Sequence, residues 1–542
     1  MQAVPPPGTP VLTATDIERT LAEANESLRL GRLSEAGVLY GRLVEYYPES
    51  IPLLLRTGSV QLDCGRNESA RDLFRRVLAI DPEDESAKHL LGMTHWKLGE
   101  EPQAIEYLHG LTDNAVAQFQ LGNIHMAAGD YDAAVVAFTN AQRLGAPEAD
   151  DPLALSLLRS GDKHGAEALL RKLVSPDRPC TRSLASLLGK LLIDDGRVEE
   201  ARSYFSALMQ SRPEIADVAI TVLADTYLAE GKLEQALESI RPAMHSHWSR
   251  TFICASLAQL GILMRDSGAE AQRRPHPFPG SNAGVSMSSL ERYGRFGHQL
   301  LEYLFLRWQA DATGVVLETP DWVGQVVFEL DDPYPAGPRR VLMRSSAWIE
   351  EQVSKRGAEA LAGHDFFSPG HFTNWQPEHV ELARRLFQLR PCWRRMLEPP
   401  LAALRGDHQT LIAIHVRRTD LANLHRLPEC RWYLDWLRQV WSSFPDPLLY
   451  IASDDLDLVL SDFREFSPVC ISDLPGRVSG LEWLHDFHAI MNADVVATSQ
   501  SGFSYVASML NTRAKVFKQP DMAEQRLVDY LPARHNATPV MR

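Results

Sequence analysis

Residues 411–420 read LIAIHVRRTD, an apolar run that leads straight into His415, two adjacent arginines and Asp420. A continuous apolar run of this length reads as a strand buried on both faces, the kind found in parallel sheets. Along an extended chain alternate side chains share a face, so His415 and Arg417 lie on one side and Arg418 on the other. One guanidinium can then face a bound anion while its neighbour is held by the structure, with Asp420 as the expected partner. A guanidinium suits a diphosphate because it offers paired donors and stays charged. A structural ion pair at a strand end is the plain alternative, but HxRRxD directly behind a buried strand favours function.

The same rhythm extends outward through the second half. TLIAIHV (410–416), LLYIAS (448–453), VCIS (469–472), DVVATS (494–499) and AKVFKQ (514–519) are short apolar runs. Amphipathic segments separate them, among them RWYLDWLRQVWSSF and GLEWLHDFHAIMNA. Strand–helix–strand alternation predicts a parallel sheet covered on both faces. Residues 286–400 are less regular, with helix candidates HQLLEYLFLRWQADAT and PEHVELARRLFQL, and the whole region is expected to form two α/β lobes around a cleft. Ligands of parallel sheets sit at the carboxyl ends of the strands.

Two further constellations fall at such ends or at helix starts. In GRFGHQLLEYLFL (294–306), Gly294 and Gly297 flank Arg295 just before a long amphipathic helix, a geometry that favours anions. An ordinary glycine turn with a surface arginine is the alternative. In HDFHAIMNADVVATSQSGFSYVASML (485–510), a strand ends at Thr498 and a helix begins near Ser501. The hydroxyls of Ser499 and Ser501 and the free N–H groups there suit phosphate oxygens, and Asp486 suits a base or ribose. Equally, Ser501 is explained as an N-cap and Asp486 as a solvated residue. Asp454 and Asp455, in ASDDLDLVL, follow a strand and precede a helix, so capping or shaping of a nucleotide site accounts for them better than a metal.

The first half repeats. Gly31, Gly65, Gly99, Gly129, Gly161, Gly196 and Gly231 recur at steps of 30 to 35 residues. Five residues after each stands an alanine: Ala36, Ala70, Ala104, Ala134, Ala166, Ala201, Ala236. Seven before each stands a small residue: Ala24, Gly58, Gly92, Gly122, Ala154, Gly189, Ala224. Four past each alanine comes a large side chain: Tyr40, Phe74, Leu108, Phe138, Leu170, Phe205, Ile240. Each unit reads as two helices joined at the glycine, with small residues permitting close approach and the bulky one filling the gap. Thr15 with Glu18 is the expected capping box of the first helix, and residues 251–265 the expected terminal helix. The pattern resembles tetratricopeptide repeats. Such a solenoid implies a concave groove for a peptide or partner protein, or a part that only stiffens or oligomerises the chain.

Bulk properties narrow the class. A chain of 542 residues exceeds one core. A formal net charge of −15 with no basic run argues against nucleic-acid binding. Six cysteines without CxxC spacing read as reduced, buried thiols of a cytoplasmic protein. Neither a signal peptide nor an apolar stretch of transmembrane length is evident.

In chain order, GRFGHQL, HVRRTD, YIASDD and SQSGFSYVA resemble motifs of the fucosyltransferase superfamily that includes α1,2-, α1,6- and protein O-fucosyltransferases. The resemblance covers roughly residues 290–520. The repeats give an α-solenoid (15–266), the Pro-, Gly- and Ser-rich break after them a linker (267–285), and the resemblance implies an α/β GT-B-like domain of two Rossmann-like lobes: an acceptor-side lobe (286–400) and a nucleotide-sugar lobe (401–542). It further implies metal-independent, inverting transfer from GDP-fucose to a glycan or protein acceptor, without a cofactor. Arg417 would contact the β-phosphate with Arg418 in support, His415 and Asp486 would lie near guanine or ribose, and Ser501 at the pyrophosphate turn. His298 stands where that family's motif has asparagine, and an imidazole that titrates near neutrality makes it a candidate base. Two rivals stand beside this expectation: a repeat-bearing transferase for a UDP-sugar, similar to the O-GlcNAc transferases, and a repeat scaffold whose transferase domain is degenerate.

Overall fold

The computed structural model describes residues 13–175, 180–243, 249–268, 284–291, 293–335, 339–372, 375–418 and 427–532. The chain divides between Leu173 and Val174 into two compact units.

The first unit is helical, from Ala14–Arg29 to Lys163–Leu173. All seven turn glycines, here and in the second unit, have positive φ, from 71° to 91°. That left-handed conformation closes a helix and suits glycine. The seven alanines and the seven large side chains of the pattern are each fully buried. The small residues before the turn have a steric reason. A Cβ on Gly58 would come 2.4 Å from the Phe74 ring, one on Gly92 2.8 Å from Leu108, and one on Gly122 2.6 Å from Phe138. The first helix starts two residues earlier than expected. Thr13 is its N-cap and forms the capping box with Asp16, so the Thr15–Glu18 pairing is replaced by the same motif in another register.

The second unit opens with the last repeats, Arg182–Asp194, Val198–Ser211, Ala216–Ala229 and Leu233–Ile240, and the terminal helix Ser249–Asp266. This last helix faces two ways. Cys254 and Ala255 pack with Ala224 and Ile240 of the repeats. Ile253, Leu260 and Met264 belong to the core of the α/β region. Phe252 meets Trp483 edge-on at 5.5 Å. Arg250 pairs with Asp225 at 2.7 Å and donates to the backbone carbonyl of Glu291, while Lys190 reaches the Glu291 carboxylate at 3.0 Å.

Two sheets follow. The first contains Val285–Ser286 (β1), Leu317–Glu318 (β2), Arg340–Leu342 (β3) and His364–Phe366 (β4), in the order β2-β1-β4-β3 and parallel throughout. The second contains Thr410–Val416 (β5), Pro447–Ser453 (β6), Val495–Ala497 (β7), Val516–Asp521 (β8) and Arg526–Asp529 (β9), in the order β6-β5-β7-β8-β9. It is mixed, because β9 runs antiparallel to β8. The all-parallel expectation therefore fails at one edge. VCIS is no strand: Val469 makes one bridge to Tyr450, and a 3-10 turn follows at Ile471–Asp473. All of β5 is buried, as its apolar run requires. Among the described residues no helix is long and apolar enough to cross a membrane. Cys64 and Cys180 are half-buried, where burial was expected of all six cysteines; the other four are buried.

Candidate functional site

The site is built where β5 and β7 end. His415 is the penultimate residue of β5, and its Nδ1 lies 2.8 Å from the Ser499 hydroxyl. Arg417, two residues on and on the same side, donates through Nη1 to the Ser501 hydroxyl at 3.0 Å. Ser501 is the N-cap of helix Gly502–Leu510, and its oxygen also accepts from the Phe503 N–H. The serine turn is pinned from behind: the Thr498 N–H donates to Lys518 of β8, and the Tyr433 hydroxyl donates to the Thr498 carbonyl at 3.0 Å.

Arg418 faces the other way, as alternation along the strand requires. Its guanidinium donates to the Pro428 carbonyl and the Cys430 sulfur, each at 2.9 Å, and its backbone N–H donates to Asp454. Asp420, expected as its partner, lies outside the described residues. Asp455 caps helix Leu456–Val459, the capping role expected of it.

The second constellation meets this one. Arg295 is the N-cap of helix Phe296–Thr313. Gly297, in the first turn, is so close to the first turn of Gly502–Leu510 that a Cβ on it would sit 2.2 Å from the Phe503 nitrogen. The first turns of the two helices, each a positive dipole end, therefore lie in contact, and Arg417 reaches the N-cap of the second. Gly294 has φ 74° and packs against the His298 ring.

Electrostatics separate the histidines. Burial, reinforced by the Arg417 charge, pushes His415 down to about 3, so it is neutral and acts as a hydrogen-bonding group. At His298 burial opposes protonation, but the Glu302 carboxylate beside the ring outweighs it and raises the imidazole above its ordinary value. Asp486 is placed differently from the rest. It is buried on helix Glu482–Asn492, where the Tyr450 hydroxyl donates to it at 2.6 Å, and burial pushes its carboxyl up to about 7.

Sequence reasoning missed Glu302, which lies one helical turn after His298 with Nε2–Oε1 at 3.1 Å. The four-residue spacing of a histidine and a glutamate within one helix was the available signal. It also missed the Tyr433, Pro428 and Cys430 contacts, which join segments remote in sequence. In the first unit, inward helices leave a cavity of about 950 Å³ whose lining includes Ile17, Leu21, Asn25, Tyr47, Leu53 and Arg56.

The tetratricopeptide-repeat family matches residues 27–93, 115–144 and 152–216. The N-terminal region thus carries tetratricopeptide repeats, as the periodicity indicated. The chain is similar to the crystal structure of MamA protein, at 20% identity over 29% of this chain and 88% of that one, with a TM-score of 0.27. It is also similar to a tetratricopeptide repeat protein from Parabacteroides merdae, at 16% identity over 45% and 98%, TM-score 0.31. A third likeness is to the C-terminal part of a TPR repeat-containing protein from Cytophaga hutchinsonii, at 13% identity over 41% and 93%, TM-score 0.35. No curated protein matches the chain.

Proposed function

We propose that the α/β region is a glycosyltransferase of GT-B type that takes a GDP-sugar, GDP-fucose first among them, and transfers the sugar with inversion to a glycan or protein acceptor. The observation that carries this reading is the Arg417–Ser501 contact beside two helix N-termini, a cluster of fixed positive charge and N–H donors at the carboxyl end of a parallel strand. Negative charge grows on a diphosphate as the glycosidic bond breaks. A preorganised guanidinium stabilises that charge more in the transition state than before it. His415 and Ser499 hold the turn in register, and Arg418 fixes the chain that presents Arg417. Donor binding needs no metal in this scheme.

The repeats supply a second component. Tetratricopeptide repeats commonly bind peptides or proteins, and the cavity of about 950 Å³ in the first unit is where we place a partner or a polypeptide acceptor. A scaffold without transferase activity is the rival reading, favoured by the family match to the repeats alone.

Calorimetric titration with GDP and with UDP tests the donor site. GDP should bind in preference, and Arg417→Ala should lose about 1.5–3 kcal/mol, a charge-assisted contact, or roughly ten- to hundredfold in affinity. Preference for UDP would transfer the reading to a UDP-sugar enzyme. Binding of neither would leave the scaffold.

A further inference from the structure

Glu302 is a carboxylate in the wrong place for a structural residue. It sits in the second turn of helix Phe296–Thr313 with its side chain 1% exposed. Three groups converge on one of its oxygens. His298 Nε2 lies 3.1 Å away, the Ser368 hydroxyl donates at 2.6 Å, and the Gly370 N–H donates at 3.4 Å. Its other oxygen, Oε2, is buried with no hydrogen-bond partner among the described residues, and so are both nitrogens of His298, whose Nε2 stands at ion-pair distance from Oε1 but out of hydrogen-bond alignment. Buried polar atoms are nearly always paired, so three orphans on adjoining side chains call for an explanation.

The backbone bears on the same point. Ser368 has φ 49°, in the left-handed region that a serine rarely occupies. Its N–H is held by the Ser289 hydroxyl at 3.1 Å, which fixes the turn that delivers its own hydroxyl to Glu302. The imidazole is flanked by the Tyr293 ring at 5.8 Å. His298 also follows Gly297, the residue in closest approach to the serine-turn helix.

We propose that His298 and Glu302 form an imidazole–carboxylate dyad that removes the proton from the incoming hydroxyl, with Ser368 as the positioning residue that fixes the carboxylate. This rests on the transferase reading and names the acid–base group within it. The Glu302 carboxylate faces Nε2 at 3.1 Å, and a small turn of the ring would align the two, which leaves Nδ1 as the nitrogen that takes the proton. As the acceptor oxygen bonds to the anomeric carbon, its proton passes to Nδ1. The bond from that carbon to the diphosphate oxygen breaks, and its electron pair leaves on the diphosphate. The charged or titratable groups facing the imidazole are Glu302 on its own helix, Tyr293 before that helix, and His371 beyond β4, which feels the His298 and Glu302 charges. Glu302 makes the imidazole a stronger base, and its loss would weaken that base.

The test is GDP release from GDP-fucose with water as acceptor, followed against pH for the full chain and for Glu302→Gln. The variant should lose roughly tenfold or more in kcat, within the range that general acid–base groups contribute, with KM for the donor little changed. The acid limb of its profile should move to lower pH, since the imidazole loses the charge that raised its pKa. A profile superimposable on the parent's would overturn the dyad and leave the transferase reading standing. A parent that neither binds GDP nor releases it from the donor would overturn both. Should the Glu302 variant not fold, His298→Asn replaces it: loss of the acid limb supports the dyad, and an unchanged limb and kcat overturn it.

Discussion

His415 and Asp486 are both buried in the second unit, yet their surroundings push their titration in opposite directions across neutrality. Burial keeps His415 neutral down to about 3, and it raises Asp486 to about 7. The sign for the aspartate follows from linkage. Its folded pKa lies above the unfolded value, so the neutral side chain favours the native state at low pH. That contribution is complete below the unfolded value near 3.9 and is lost as pH rises through about 7. Asp486→Asn removes this dependence. Its melting temperature relative to the parent should rise steadily from pH 4 to pH 7, and a difference constant with pH would mean that the carboxyl is not shifted. The sequence revealed the residues of the site better than their partners. His415, Arg417, Ser499 and Ser501 were legible because strand alternation and capping are local rules. The Tyr450 contact that occupies Asp486 was not, because it joins positions 36 residues apart.

Among elements, the long ones were readable and the short ones were not. β5 was expected at 410–416 and is found there, since seven buried residues leave a strong apolar signature. The strands of the first sheet span only two or three residues each, too few for a period to show. β9 is only four residues long, with polar Arg526 and Asp529 at its ends, and pairs with β8 alone, which hid it too. The contact between helices Phe296–Thr313 and Gly502–Leu510 is the element-scale feature on which the site depends. Gly297→Ala would drive a methyl group into the Phe503 backbone, which cannot yield as a flexible side chain does. The helices must separate, at a cost of about 1–3 kcal/mol, the usual range for overpacking. Thermal unfolding should register that loss, and GDP affinity should fall with it by tenfold or more. Parent-like GDP binding in this variant would show that the paired N-termini do not form the anion site.

On the scale of the whole molecule, the repeat array and the compact units do not share a boundary. The periodicity runs to Ile240 without a break, whereas the units divide between Leu173 and Val174. Periodicity records how neighbouring helices pack, and it carries no record of what else those helices touch. Helix Ser249–Asp266 contributes Ile253, Leu260 and Met264 to the α/β core, and Arg250 and Lys190 tie the repeats to Glu291. Removal of residues 1–173 should therefore leave a cooperatively unfolding protein. Removal of residues 1–266 should expose that core and yield an aggregating or non-cooperative one, and calorimetric scans of both truncations decide the matter. The shared helix has a consequence for how such a chain can change by recombination. A crossover that swaps repeat arrays is tolerable upstream of Val174, while one placed at the apparent end of the array would sever the α/β half from part of its own interior. The early repeats are thus free to diversify toward new partners, and the last ones inherit the constraints of the half they adjoin.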